Sequence, residues 1–162
     1  MDITSEVPVM LITGGGRGIG AATARLAAAA GYDVAISFFG NEAAAQAVAA
    51  DVEAAGRRGL AVRADSADPG EVAALFQAID RTFGRIDVLV NNAGIIGRQS
   101  RLEDLDFERM RRIFAVNAIG PILCAQQAAR RMSHRHGGLG GVVINISSAS
   151  ARLGSPNEYV DY

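Results

Sequence analysis

Tryptophan is absent from the 162-residue sequence, aromatic residues make up only 6% of it, and there is a single cysteine, Cys124. One cysteine excludes an internal disulfide. Its neighbours Ile122, Leu123 and Ala125 make it a buried packing residue rather than a redox centre. A surplus of one charge is lacking too. Sixteen Lys and Arg stand against seventeen Asp and Glu, a net charge of −1 that offers no field for nucleic acid or an anionic membrane. The pairs Arg111-Arg112 and Arg130-Arg131 read as solvated helix faces, the first with Glu103, Asp104, Asp106 and Glu108 nearby. No apolar run approaches the length that spans a bilayer. The beginning of the sequence carries Asp2 and Glu6 and only a short apolar stretch before the glycines, which suits neither a signal nor a transit peptide. The expected compartment is the cytoplasm. His134 and His136, two residues apart, do not share a helix face and have no carboxylate cluster beside them. They read as a cationic helix end before Gly137 and Gly138, and no metal site is expected.

What is abundant is alanine and glycine, which suit tight packing of helices on a sheet. No repeat or Pro/Ser-rich linker divides the chain, and its length fits one compact domain, residues 1–162. Short apolar runs alternate with amphipathic stretches. Val9–Ile12 reads as a strand buried on both faces, followed by a helix from about Ile19 to Ala30 with Gly31 as its stop. Val34–Phe38 is a second strand, and Asn41 caps a helix ending near Gly56. Leu60–Ala64 is a third strand, and Asp68-Pro69 opens a helix that ends near Gly84. Ile86–Val90 is a fourth strand, leading into Asn91-Asn92-Ala93-Gly94. A helical stretch from about Leu105 to Met132 is expected to break or bend at Gly120-Pro121. Gly137–Gly141 reads as a flexible connection, and Val142–Ile146 as a fifth strand. Alternating strands and helices predict an α/β fold, a doubly wound parallel sheet of Rossmann type.

Thr13-Gly14-Gly15-Gly16-Arg17-Gly18-Ile19-Gly20 lies between the first strand and first helix. A pyrophosphate needs the free N–H groups of a helix N-terminus without a side chain in the way, and glycines meet both needs. Two registers fit: Gly14, Gly18 and Gly20, or Gly16, Gly18 and Ala21. Taken with Asn91-Asn92-Ala93-Gly94 after the fourth strand, the sequence resembles the short-chain dehydrogenase/reductase family over essentially its whole length. It is most similar to members of 3-oxoacyl reductase and sugar dehydrogenase type. The resemblance selects the first register. It implies that Gly14, Gly16, Arg17, Gly18, Ile19 and Gly20 hold the cofactor's phosphates. It also implies that Asp65, with Ser66 beside it, contacts the adenine. A cap for the helix at Pro69 is a second role open to Asp65. Asn91 to Gly94, with Asn91, Ala93 and Gly94 as the cofactor-binding residues, would stabilise the fourth strand and face the cofactor.

An acidic residue at the end of the second strand usually holds a ribose 2′-hydroxyl. Here Ser37-Phe38-Phe39-Gly40-Asn41 has none. Arg17, with Ser37 and Asn41 as neutral donors, suits a 2′-phosphate instead, so NADP is expected over NAD.

The resemblance also implies the chemistry: a tyrosine acid/base, a serine on the substrate oxygen, an asparagine holding a water in a proton relay, and a lysine. Asn117 matches the asparagine and Ser148 the serine, ahead of Ser147. Tyr162, fourteen residues after Ser148, is preferred to Tyr159 as the tyrosine. The lysine is expected four residues beyond the tyrosine, where the sequence has already ended. The later strands, their helices and the substrate loop are missing with it. The expectation is an NADP-dependent oxidoreductase acting on a small-molecule carbonyl or alcohol, poorly active as this chain alone. The alternative is an inactive or merely nucleotide-binding fragment. In the resembling family a helix corresponding to about Ile119–Met132 joins a bundle between subunits, so the full-length protein is expected to be a homodimer or homotetramer.

Overall fold

In the computed structural model, which describes residues 7–157, the apolar runs become β1 (Val9–Ile12), β2 (Asp33–Phe38), β3 (Gly59–Arg63), β4 (Val88–Asn91) and β5 (Val142–Asn145). They form one parallel sheet in the order β3-β2-β1-β4-β5. β1 thus has β2 on one side and β4 on the other. The direction of winding reverses between β1 and β4, and in such sheets a crevice opens at the carboxyl ends of those strands. The doubly wound parallel sheet predicted from the sequence is present.

Alternation along β1 divides the core between the two faces of the sheet. Val9 and Leu11 face α3 (Pro69–Phe83) and α5 (Gly120–Met132), burying Leu75, Phe76, Ile79, Cys124 and Ala128. Ile12, with Val34 and Ile36 of β2, faces α1 (Gly18–Ala29) and α2 (Glu42–Ala54) through Ala21, Ala24, Ala45 and Val48. Alanine on α1 and α2 lets these helices sit close to the sheet. Asn41 caps α2 by accepting the N–H of Ala44 at 3.0 Å. Asp68 caps α3 by accepting that of Glu71 at 2.8 Å. The cap is therefore Asp68 and not Asp65, because only Asp68 directly precedes the proline-led first turn.

The helix expected to break or bend at Gly120-Pro121 does not break there, but it is irregular just before that pair. α4 (Phe107–Phe114), capped by Asp106, runs on through a π-helical turn at Ala115–Ile119 into α5. Pro121 has no N–H for the carbonyl four residues back. The wider turn, in which Gly120 N–H reaches the carbonyl of Ala115, shifts the register. Pro121 then falls in the first turn of α5, where its missing donor is harmless. Gly120 is where α5 crosses the loop after β3; a Cβ there would lie 2.8 Å from the carbonyl oxygen of Ser66.

Two surface readings also change, those of the arginines and of the glycines, while the cationic helical end before Gly137 stands. Arg112 and Arg131 are not merely solvated: they bind Asp65 and Asp80 at 2.8 and 2.6 Å, while Arg111 pairs with Glu108 along α4. His134–His136 forms a 3-10 turn beyond α5, with Ser133 accepting the N–H of Arg135. Of the glycines that follow, Gly138 and Gly141 are packed rather than loose, a Cβ on Gly141 lying 2.6 Å from Met132 Sδ, while Gly137 stands open. Among the described residues β5 is paired to β4 alone, and its Val142, Val143 and Ile144 are half exposed. A short helix not foreseen in the sequence, α6 (Ser150–Leu153), follows β5.

Candidate active site

Two hydrogen-bonding side chains join the glycine loop to the end of β4. Thr13, which is buried, accepts the N–H groups of Asn92 and Ala93 on its Oγ1, both at 3.0 Å. Asn92 returns its side-chain amide to the carbonyls of Thr13 and Gly14 at 2.8 and 3.2 Å. This reciprocal lock sets the path of the loop. Gly14 and Gly18 have φ of +65° and +54°, a region that glycine adopts without strain. A Cβ on Gly20 would lie 2.6 Å from Asn92 Nδ2. At Gly16 the nearest atoms to an added Cβ would be those of Ala45, at 3.4 Å, an ordinary contact. The register of Gly14, Gly18 and Gly20 is thus the one the backbone requires.

α1 begins at Gly18 with no side-chain cap, and its first intrahelical acceptor serves Ala21, from Arg17. The amides of the first turn are left toward a cleft of about 740 Å³. Gly14, Gly16, Arg17, Gly18 and Ile19 form one wall of it. Arg17 has no ion-pair partner among the described residues. Ser37, which is buried, braces the loop: its hydroxyl accepts the N–H of Gly14 at 3.3 Å and its carbonyl that of Gly15 at 2.9 Å. Phe39, Gly40 and Asn41 continue the wall with no carboxylate among them. Across the cleft stand Ala64, Asp65 and Ser66 from the end of β3.

Asp65 is held on both oxygens. Oδ1 accepts the N–H of Ala67 at 2.9 Å and Oδ2 accepts Arg112 Nη1 at 2.8 Å. Burial pushes its carboxyl up, but the bonds from Arg112 and Ala67 and the charges of Arg112 and Arg63 more than offset that, leaving it below the ordinary carboxylate value. Arg112, from α4, also lines the cleft.

A second cleft, of about 460 Å³, shares Asn92, Ala93, Gly94 and Ile95 with the first. Asn117 and Ser148, predicted from distant parts of the sequence, both line it, as do Asn145 and Ser147. Asn117 lies in the π turn, and its side chain grips the loop after β4. Oδ1 accepts the N–H of Ile95 at 2.9 Å and Nδ2 donates to its carbonyl at 2.8 Å. Ser148 Oγ accepts the N–H of Ser150 at 3.1 Å. Tyr159 and Tyr162 lie outside the described residues. Asn91 lines the second cleft and not the larger one. Its side chain is buried and donates to Asn145 Oδ1 at 2.9 Å and to the carbonyl of Pro121 at 3.2 Å, tying β4 to β5 and α5. Parallel-strand alternation turns it to that face and leaves Asn92, one residue on, to reach the glycine loop.

The sequence reading missed the roles of Thr13 and Arg112, and the pairing of Asn92 with Thr13. Thr13 and Asn92 stood inside the two motifs, but their pairing spans 79 residues. Arg112 gave no local signal of its partner, 47 residues away.

The geometry fits a dinucleotide. A loop cleared of side chains leads to the open amides of a helix start, Arg17, without an ion-pair partner among the described residues, stands at its mouth, and a fixed carboxylate stands opposite. A family model described as short chain dehydrogenase matches residues 8–160. The chain is 46% identical over 154 residues to an uncharacterized oxidoreductase, YgfF, of Escherichia coli, covering 95% of this chain and 62% of that protein. It is 39% identical to an L-rhamnose 1-dehydrogenase (NAD(P)(+)) of a Sphingomonas species, covering 92% and 58%. A solved short chain dehydrogenase from Burkholderia cenocepacia, in complex with NADP, matches with a TM-score of 0.85 and 42% identity over 91% of this chain and 58% of the other. The chain thus spans about 60% of the length of the proteins it matches.

Proposed function

This chain belongs to the short-chain dehydrogenase family, and from that premise we propose that the whole protein is an NADP-dependent oxidoreductase acting on a small carbonyl or alcohol. The observation that carries the cofactor choice is the cleft wall from Ser37 to Asn41, which holds no carboxylate, with Arg17 facing it from the glycine loop. A carboxylate there would accept from a ribose 2′-hydroxyl and repel a 2′-phosphate. A guanidinium attracts the phosphate. The amides at the start of α1 would take the pyrophosphate, and Asp65 and Ser66 would meet the base. When bound, the nicotinamide supplies or accepts the hydride.

The protein's own part is to orient the substrate and move a proton. Ser148 lines the second cleft with a hydroxyl that would donate to the carbonyl oxygen. Tyr162 would give its phenolic proton to the same oxygen as charge develops there. A phenol of ordinary pKa, about 10, needs a nearby cation to do this near neutrality. The sequence contains no lysine. We assign that cation to a lysine beyond residue 162, one helical turn after Tyr162. Asn117 acts by holding the Ile95 peptide, which walls both clefts. We propose that the remaining length also supplies the strands and loop that cover β5 and enclose the substrate. The exposed Phe107, Phe114, Ile119 and Ile122 on α4, the π turn and α5 would then meet a second subunit, making a dimer or tetramer.

The cofactor assignment is tested by titrating the full-length protein with NADPH and NADH. NADPH is expected to bind at least about tenfold tighter, the scale of one charge-assisted contact. Equal affinities would refute the assignment.

A further inference from the structure

Asp65, on one side of the larger cleft, is linked to four side chains that the cofactor reading leaves unused. Arg112 reaches from α4 to Asp65, in the loop after β3. The backbone N–H of Asp65 donates to Glu71 Oε2 at 2.8 Å, and Glu71 pairs with Arg63 at 3.4 Å. The guanidinium groups of Arg63 and Arg112 both lie over the ring of Phe39, 5.3 and 5.6 Å from its centre. Of these residues Phe39, Asp65 and Arg112 line the cleft, at the side where β2 and β3 end, and Glu71 and Arg63 hold them from outside the lining.

We propose that Arg112 is a positioning residue that holds the Asp65 carboxylate as a fixed acceptor for the exocyclic amine of a purine, and so selects adenine over a 6-oxo base. The inference rests on the dinucleotide reading above. An aspartate on a loop can rotate out to water. Here Ala67 holds one oxygen and Arg112 the other, so neither can turn away, and each keeps a lone pair. A carboxylate held in this way offers acceptors only. It rewards an amino group and opposes a 6-oxo group, whose lone pairs would face its own. The contact of Arg112 with Phe39 anchors the guanidinium from its other side, so the arginine is itself confined.

The test uses the full-length protein, with the fluorescence of the reduced nicotinamide as a binding readout that needs no turnover. The probes are NADPH, NADH, and the NADPH analogue in which hypoxanthine replaces adenine. The wild type is expected to prefer adenine by about tenfold or more, the scale of one hydrogen bond to a charged group. Arg112→Met should reduce that preference to less than about threefold while leaving the NADPH-to-NADH ratio unchanged, because the phosphate preference belongs to Arg17. Arg112→Lys, which restores a cation beside Asp65, should recover part of the base preference. Asp65→Asn, which offers a donor as well as an acceptor, should remove or invert it, and this variant tests the idea even if Arg112→Met does not fold. A base preference that survives Arg112→Met would overturn the proposal. So would a fall in the NADPH-to-NADH ratio of that variant, which would place Arg112 on the phosphate. A wild type that binds dinucleotides without base preference overturns this inference alone, whereas one that binds no dinucleotide overturns the cofactor reading with it.

Discussion

Asn92 and Thr13 hold each other reciprocally: Thr13 Oγ1 accepts the backbone N–H of Asn92 at 3.0 Å, and Asn92 Nδ2 donates to the backbone carbonyl of Thr13 at 2.8 Å. The pair makes the glycine loop and the end of β4 one rigid unit. Thr13→Val removes the acceptor from two N–H groups while keeping the shape. The expected cost is about 1–3 kcal/mol of stability, the penalty for stranding buried donors. Thr13→Ser should recover most of it. Denaturant unfolding of the three proteins measures both effects.

Arg17→Ala should lower the NADPH-to-NADH affinity ratio by about tenfold and leave NADH affinity nearly unchanged, because only the 2′-phosphate loses a charged partner. A parallel titration of both nucleotides checks it. An unchanged ratio would remove Arg17 from the site.

Acid should weaken the fold through Asp33 and Asp65. Asp33, buried at the start of β2, is pushed up by burial. The backbone and side-chain hydrogen bonds of Arg58, with the charges of Arg58 and Arg57, more than offset this and leave it below the ordinary 3.8. Asp65 is lowered in the same sense. A carboxylate whose pKa is lower folded than unfolded stabilises the fold above its unfolded pKa and loses that contribution as pH falls through its folded pKa. The melting temperature should therefore be insensitive to these groups from pH 7 down to about 5, and fall below about 4. In Asp33→Asn the protein should start less stable and lose less on acidification. Thermal melts from pH 7 to 3 give both slopes.

Cys124 should resist thiol reagents in the folded protein. It is buried among core residues of α3 and α5, and burial pushes its thiol up to about 12. At pH 8 essentially no thiolate is present to react. Labelling with an aromatic disulfide reagent should be complete in denaturant and negligible without it.

The strands and helix caps were legible in the sequence because their causes are local. Val9–Ile12 is a continuous apolar run, and Asp68 stands directly before Pro69. The glycine loop was legible for the same reason, since its backbone needs residues without side chains. Asn117 and Ser148 came from a resemblance to a family, and the fold brings both to one cleft. What could not be read locally depends on tertiary placement. Asn91 and Asn92 are neighbours in sequence, yet strand alternation sends one to Asn145 and the other to the glycine loop. Arg112 looked like half of a solvated basic pair until α4 was laid beside the end of β3. The π turn was hidden because Pro121 signals a break, while a shift of one residue accommodates it without one.

The central claim, that a tyrosine proton donor and a serine hydroxyl act on a carbonyl beside NADP, is tested most directly by Tyr162→Phe in the full-length protein. NADPH affinity and NADPH oxidation with a panel of small carbonyl substrates would be measured beside the wild type, Tyr159→Phe and Ser148→Ala. NADPH binding is expected to be the same in all four proteins. Turnover should fall by about a hundredfold or more in Tyr162→Phe, the scale of general acid catalysis, and substantially in Ser148→Ala, with near-normal turnover in Tyr159→Phe. Wild-type turnover in Tyr162→Phe would contradict the account.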